Sequence, residues 1–312
     1  MSLGLLHYLK RLFSSDNVAD ASLPPQCAGL CLPVGVEHLR INRTDVLSDY
    51  LPLGFVTFEA HQLGNGDYFG FYWPVGRENT EPLIAETQHD SGRLEPGFSS
   101  LKAFLEKTEG IDSHDWIELP TFEEDPDSPR NCYRKARDLI AKKAFDPAVA
   151  QLEKAVAALP EYTEALATLA GQYLRMGRTE EACRLAVQII ISPPSFGFGG
   201  AVDNIARWFS RLDTGPVDLT EDPIWKGRAK LASIPTGGTK DSQAYPVLRE
   251  AIDTYAERGE FMKALILMQT YSDFMNSETR SFQERQGYDF ATHRARQQNL
   301  SQKLPNGPRY LI

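Results

Sequence analysis

The 312-residue sequence lacks the short motifs by which many enzymes are recognised. It contains no G-x-x-x-x-G-K-[S/T] phosphate loop, no H-E-x-x-H zinc helix and no G-x-S-x-G nucleophile turn. The stretch 64–70, GNGDYFG, does not complete a dinucleotide-binding G-x-G-x-x-G, because Phe69 occupies the last glycine position. The sequence therefore gives no direct sign of catalysis by any of these chemistries.

Cysteine is also scarce, with four residues at positions 27, 31, 132 and 183. Cys27 and Cys31 are separated by three residues, and no second pair completes a zinc ligand set. Four cysteines are too few to cross-link a secreted fold of this length, so they favour a reducing cytoplasm. We expect a cytoplasmic protein with neither a bound metal nor a cofactor.

Long hydrophobic runs are absent as well: no apolar stretch approaches the roughly 18 residues that a membrane span requires. The start of the chain, MSLGLLHYLKRLF, places leucines at near-helical spacing with basic residues between them. It does not have the layout of a signal peptide. We expect a short helix here that packs on the domain. Docking of residues 2–13 on a membrane surface or a partner is the alternative.

Positive charge is in short supply, because the chain has 33 basic and 42 acidic residues and a net charge of −9. Between Leu51 and Asp127, 16 acidic and 4 basic residues give −12, which leaves +3 for the rest of the chain. Nucleic-acid binding needs a basic face, so we expect no nucleic-acid partner. The uneven charge instead indicates two domains with different surfaces.

The sequence pattern of the front half predicts a small antiparallel sheet. The runs GFVTFEAHQL and YFGFYW flank Asn65-Gly66, and an Asn-Gly pair is typical of a tight hairpin turn. Residues 82–87, PLIAET, predict a third strand. A helix follows within SSLKAFLEKTEG, with Ser99 or Ser100 as the N-cap and Gly110 at its end.

Strand alternation assigns the side chains of the second run to two faces. Phe69, Phe71 and Trp73 share one side, which we expect to be core, whereas Tyr68 and Tyr72 share the other and face outward. Exposed tyrosine beside acidic residues is typical of binding surfaces.

An acidic, proline-containing stretch at 120–130 marks the boundary to a helical second half, in which three segments share a spacing. The segments start at Pro129, Thr163 and Tyr245. Gly177 and Gly259 occupy offset 15 of the second and third segments, and Ala182 and Ala264 occupy offset 20. The pattern resembles the tetratricopeptide repeat, a helix-turn-helix unit of about 34 residues. We predict a lead-in at 1–35, an α+β domain at 36–125 and an all-α tetratricopeptide-like array at 129–312.

The repeat resemblance implies a concave groove lined by the first helix of each pair. The groove positions carry basic and aromatic side chains: Arg130, Tyr133, Arg134, Arg137 and Arg175. Such a groove suits an acidic peptide or C-terminus. The alternative is that these arginines pair with carboxylates of neighbouring helices.

Four acidic residues of the front half, Glu59, Asp67, Glu86 and Asp90, fall on or beside the predicted strands. Three interpretations are open: a solvated acidic face, a protein-binding face, and a general acid/base or metal site formed by converging carboxylates.

Residues 51–109 add a second resemblance. A β-prone run, the segment NGDYFGFYW, a third strand that ends near His89-Asp90 and the helix SSLKAFL resemble the core of the SUKH superfamily. That family includes fungal cell-wall assembly regulators and bacterial immunity proteins. The resemblance implies a non-enzymatic domain that binds proteins through one sheet face, here with Asp67, Tyr68 and Tyr72, and with Glu86 and Asp90 at the rim.

The sequence therefore predicts a non-catalytic protein-binding chain. Its expected role is that of an immunity protein, which neutralises a toxin by occlusive binding. An acidic surface suits a basic toxin because complementary charge speeds association. The alternatives are a regulatory adaptor that acts through the helical repeats, and a hydrolase that uses the acidic cluster.

Overall fold

A four-stranded antiparallel sheet precedes a series of helices in the computed structural model. The structure describes residues 31–33, 36, 39, 52–59, 61, 66–88, 90–112, 115–234 and 242–305. The expected helix within residues 1–13 and the hairpin turn at Asn65 lie outside this range. The predicted order, α+β first and all-α second, is confirmed.

The sheet is a simple meander in which each strand pairs with the next along the chain. Its strands are β1 (Phe55–Thr57), β2 (Phe69–Tyr72), β3 (Leu83–Gln88) and β4 (Arg93–Phe98). Phe55 faces Tyr72 across β1 and β2, and Phe71 faces Ile84 across β2 and β3. The predicted hairpin pairing and the third strand are therefore both present.

The strand β4 was missed by the sequence prediction because it contains Pro96 and Gly97, which are rare in strand interiors. It lies at the edge of the sheet, where a residue without a backbone N–H is tolerated. The pairing of β3 with β4 is irregular between Ile84 and Glu86, and this irregularity accommodates the proline.

One face of the sheet packs against helix α1 (Leu101–Thr108) in an aromatic core. The Phe104 ring lies 5.4 Å from Phe58 and 5.1 Å from Phe69, measured between centroids. Ser100 is the N-cap, and its side chain accepts a hydrogen bond from the Ala103 backbone N–H at 3.2 Å. The expected core positions Phe69, Phe71 and Trp73 are all buried on this side.

The helices of the second half follow the predicted segments closely. The first segment forms α2 (Pro129–Ala141) and α3 (Phe145–Ala158), and the second forms α4 (Thr163–Arg175) and α5 (Thr179–Ile191). The third forms α8 (Ala244–Glu257) and α9 (Phe261–Asn276). Between them lie α6 (Gly200–Phe209) and α7 (Pro223–Gly227), and α10 (Arg280–Arg285) and α11 (Phe290–Ser301) follow at the end.

The turns inside these helix pairs share one backbone conformation. Gly177 and Gly259 have φ of +74° and +76°, a region that glycine adopts without a steric penalty. The first pair has no glycine there, and Lys143 adopts φ +60° instead. The missing glycine of the first segment therefore did not prevent the same turn from forming.

The second face of the sheet is covered by the helices, which corrects the expectation that Tyr72 faces solvent. Phe55, Tyr72 and Leu83 share a buried cluster with Leu159 and Tyr162 of the helical half. Tyr72 is fully buried. The alternation along β2 was predicted correctly, but both faces of the strand are covered, one by α1 and one by the helix pairs.

Polar contacts connect the two halves of the chain around this cluster. The Tyr72 hydroxyl donates to Glu161 Oε2, and the Val75 backbone N–H donates to Glu161 Oε1 at 2.9 Å. Arg130 Nε donates to Glu95 Oε1 at 2.6 Å. Arg130 is therefore buried between α2 and β4, and it does not line an open groove as predicted.

Within the described part of the chain, no helix is long and apolar enough to cross a membrane.

Candidate functional site

Two of the predicted acidic residues meet at one end of the sheet. Asp67 immediately precedes Tyr68 and β2, and Glu86 lies in β3 opposite Phe69. On its other side Glu86 faces Glu95 of β4. Residues directly opposite each other in antiparallel strands point to the same face, so the strand register itself brings these carboxyl groups together.

A shallow recess opens beside this cluster. It is lined by His61, Asp67, Tyr68, Phe69, Glu86, Trp116 and Ile117. Its cavity volume is about 10 Å³, which is room for one water molecule. The recess is therefore too small to enclose an organic molecule.

Trp116 gives this part of the surface its apolar component. Trp116 is 60% exposed. The other exposed aromatic residue among the described large hydrophobic residues, Phe145, is 40% exposed. Trp116 stands next to the buried Ile117, which packs into the sheet core. We call the surface formed by Asp67, Tyr68, Glu86 and Trp116 the acidic patch.

Glu86 is a carboxyl group of the acidic patch with a strongly raised pKa. Partial burial, followed by the nearby negative charges of Asp67 and Glu95, raises its pKa from 4.5 to about 7. Arg130 opposes this shift, but its guanidinium is bonded to Glu95. The surroundings of Glu86 therefore favour its protonated form more than those of an exposed glutamate do.

His61 forms the inner wall of the recess in a conformation unusual for a residue with a side chain, with φ of +52°. Burial lowers the pKa of its imidazole, although contacts with the backbone of Asp112 and Asp115 oppose the shift. Burial thus disfavours a positive charge on His61 that would offset the carboxyl groups of the patch.

The remaining predicted acidic residues lie outside the recess lining. Glu59 is exposed after β1, and Asp90 is exposed in the turn between β3 and β4. The structure thus brings Asp67, Tyr68 and Glu86 together but leaves Glu59 and Asp90 apart from them.

Sequence reasoning missed Trp116 because residues 115–119 form no regular helix or strand. A lone tryptophan in an acidic stretch, DSHDWIELP, was the available signal.

The predicted groove arginines other than Arg130 are exposed on α2 and α4. The Arg137 guanidinium lies 5.9 Å from the Tyr133 ring centre, and that of Arg175 lies 5.8 Å from the Phe145 ring centre. Arg134 is also exposed. Arg130 forms an ion pair with Glu95, but Glu95 lies on β4 and not on a neighbouring helix, as the alternative had expected.

The described ranges contain no group of three or more His, Cys, Asp or Glu side chains placed to hold a metal ion.

Comparison with known proteins links both ends of the chain to one family. Residues 41–117 match the model described as YfbP N-terminal domain, and residues 236–307 match that described as YfbP C-terminal domain. The protein of Escherichia coli (strain K12) named "Uncharacterized protein YfbP" is 35% identical over 240 residues, which cover 77% of this chain and 83% of that protein. The chain belongs to the YfbP family.

The two matched YfbP segments meet in the fold. The segment 41–117 contains the sheet strands, α1 and the whole acidic patch, and the segment 236–307 contains α8 to α11. The Leu53 backbone N–H, just before β1, donates to the Gln269 side chain of α9. A Cβ on Gly76 would come within 2.3 Å of Met262 Sδ, so the chain also approaches α9 closely after β2.

Proposed function

We propose that this YfbP-family chain is a non-catalytic protein-binding protein, and that the acidic patch receives a basic segment of a protein partner. The observation that carries the proposal is the 60% exposed Trp116 beside Asp67, Tyr68 and Glu86. An exposed tryptophan supplies a large, rigid contact area, and clustered carboxylates select cationic side chains.

The position of the helices supports this choice of surface. The sheet face that the SUKH resemblance assigns to partner binding holds Tyr72, and here that face is packed against the chain's own helices. A partner therefore has to approach the end of the sheet. Three residues of the predicted surface, Asp67, Tyr68 and Glu86, line the recess there beside Trp116.

The narrower form of the proposal is neutralisation of a basic toxin by occlusive binding in the cytoplasm. Its support is the net charge of −12 between Leu51 and Asp127, which would steer a basic protein to this half of the molecule. The adaptor alternative has its own support in the exposed Arg134, Arg137 and Arg175, which would suit an acidic segment.

Acid–base catalysis by a hydrolase is the second candidate function. One observation favours it: the pKa of Glu86 is raised to about 7, which suits a general acid or base. The space in the recess, enough for one water, limits the substrates that could reach Glu86. For this reason we place binding before catalysis.

A charge-reversal pull-down tests the proposed binding. Tagged wild-type protein and the variant Asp67→Lys/Glu86→Lys are used to capture partners from native cell extract at low and high salt. The matched control is Glu250→Lys/Glu257→Lys, which makes the same charge change on exposed positions of α8.

We expect one basic partner that wild type and control retain at low salt, that high salt weakens and that the patch variant loses. Partners that the patch variant still binds, and that Arg137→Glu loses, would move the function to the helical array. The hydrolase alternative would be favoured by two results together: no partner is captured, and the wild-type protein has a hydrolytic activity that Glu86→Gln abolishes.

A further inference from the structure

We propose that binding at the acidic patch is switched by a single solvent proton on Glu86, so that the patch accepts a cationic partner at alkaline pH and releases it at mildly acidic pH. This inference rests on the proposed function of the patch. It adds regulation to that function, because it makes the charge of the patch depend on pH in the neutral range.

The geometry of the sheet end places Glu86 among other carboxyl groups. Glu95 faces Glu86 in the β3–β4 register, and Asp67 stands at the start of the neighbouring strand. Like charges directly opposite each other in a sheet repel, and partial burial strengthens the repulsion. Protonation of one member relieves it.

Every element packed around Glu86 contributes to its surroundings. Within the part of the chain that the structure describes, the titratable or charged groups that face the cluster are Asp67 and Tyr68 before β2, Glu95 on β4, Arg130 on α2 and His61 after β1. Arg130 is the one cation among them. It is bonded to Glu95 at 2.6 Å, and its positive charge opposes the rise in the pKa of Glu86, but burial, Asp67 and Glu95 together outweigh it.

Glu86 is consequently the member of the cluster that takes up the proton. Its pKa of about 7 agrees with this assignment, since burial, Asp67 and Glu95 all act in the same direction. Burial lowers the pKa of the His61 imidazole, which disfavours an opposing positive charge on that side of the cluster. A bound cation would compete with the proton for the same carboxylate.

The size of the switch follows from the ionised fraction of Glu86. With a pKa of about 7, roughly one tenth of the carboxyl groups are ionised at pH 6 and roughly nine tenths at pH 8. If the ionised form alone binds, the apparent affinity for a cation rises about tenfold over this interval. Arginine stays charged throughout, so the probe itself does not change.

Two measurements on the full chain test the switch. Carboxyl carbon NMR with Glu86→Gln for assignment gives the pKa of Glu86 without any partner. Binding of nona-arginine at physiological salt is then measured at pH 6 and pH 8 for wild type, Glu86→Gln and the control Glu250→Gln.

We expect Glu86 to titrate near pH 7, and wild type and control to bind the peptide about tenfold more tightly at pH 8 than at pH 6. Glu86→Gln should bind weakly at both. Binding that depends on Glu86 but not on pH, or a Glu86 titration below about pH 5.5, would overturn the switch and leave the binding function standing. Peptide binding equal in all three proteins, or no binding, would overturn the patch as the binding site and the switch with it.

Discussion

Replacement of Tyr72 by phenylalanine removes one hydroxyl from the contact between the sheet and the helices. The Tyr72 ring packs 4.8 Å from the Phe196 ring, and phenylalanine preserves this packing. The hydroxyl donates to Glu161 Oε2, and the Glu161 residue is only 1% exposed. Water therefore cannot easily replace the lost donor.

The magnitude follows from the loss of a buried hydrogen bond to a carboxyl group. Such bonds contribute about 1.5–3 kcal/mol, and a buried acceptor left without its donor adds a desolvation cost. We expect Tyr72→Phe to lower the free energy of unfolding by about 2 kcal/mol. Urea denaturation at neutral pH measures this value, and an unchanged m-value would show that the unfolded states are comparable.

Tyr173→Phe is the matched control. The Tyr173 hydroxyl donates to Glu153 Oε1 at 2.7 Å, but the Glu153 side chain is 47% exposed and can bind water instead. We expect this variant to lose less than about 1 kcal/mol. Equal losses in the two variants would refute the reasoning, because the burial of Glu161 would then have no energetic consequence.

Three further changes probe other parts of the fold. Glu86→Gln should stabilise the protein more at pH 8 than at pH 5, because the raised pKa of Glu86 means that the folded protein loses stability as pH rises from 4.5 to about 7. After allowance for its partial exposure we expect a difference of about 1–2 kcal/mol between the two pH values in urea titrations. Gly70→Ala should cost about 1–3 kcal/mol by thermal unfolding, because its Cβ would lie 2.7 Å from the Phe55 ring and 2.8 Å from the Val56 carbonyl oxygen. Lys143→Gly should stabilise by up to about 1 kcal/mol, since φ of +60° strains lysine but not glycine; a loss in the same assay would contradict this.

The helices were the part of the fold most open to prediction. The segments starting at Pro129, Thr163 and Tyr245 became helix pairs that begin within one residue of those positions. Small residues, turn glycines and apolar spacing all act locally, so a single sequence contains them. Whether the array functions as a tetratricopeptide domain stays a prediction.

In the sheet, local sequence patterns were not sufficient to predict which faces are buried or where every strand lies. The alternation along β2 separated Phe71 from Tyr72 correctly, yet it could not say that the Tyr72 face is covered. The burial of this sheet face depends on residues such as Leu159 and Tyr162, which lie about 90 positions further along the chain than Tyr72. The edge strand β4 was hidden by Pro96, whose backbone is normally unsuited to a central strand.

The acidic patch was predicted only in part, because the prediction depends on which strands the sequence pattern reveals. Asp67 lies two residues before β2, and Glu86 lies on the paired strand β3 opposite Phe69, so a correct hairpin and third strand place them close together. Glu95 and Trp116 could not be assigned, because one lies on the unrecognised β4 and the other on a segment without regular structure. The raised pKa of Glu86 depends on Glu95 and was therefore beyond sequence reasoning.

Photo-crosslinking from the patch itself tests the central claim most directly. A photoreactive phenylalanine analogue replaces Trp116 in one sample and Met176, an exposed residue of the helical half, in another. After irradiation in the native cell, we predict one adduct with a basic protein from position 116. This adduct should be absent from position 176 and lost when Asp67→Lys/Glu86→Lys is added. An adduct from position 176 alone, or one from position 116 that survives the charge reversal, would contradict binding through the acidic patch.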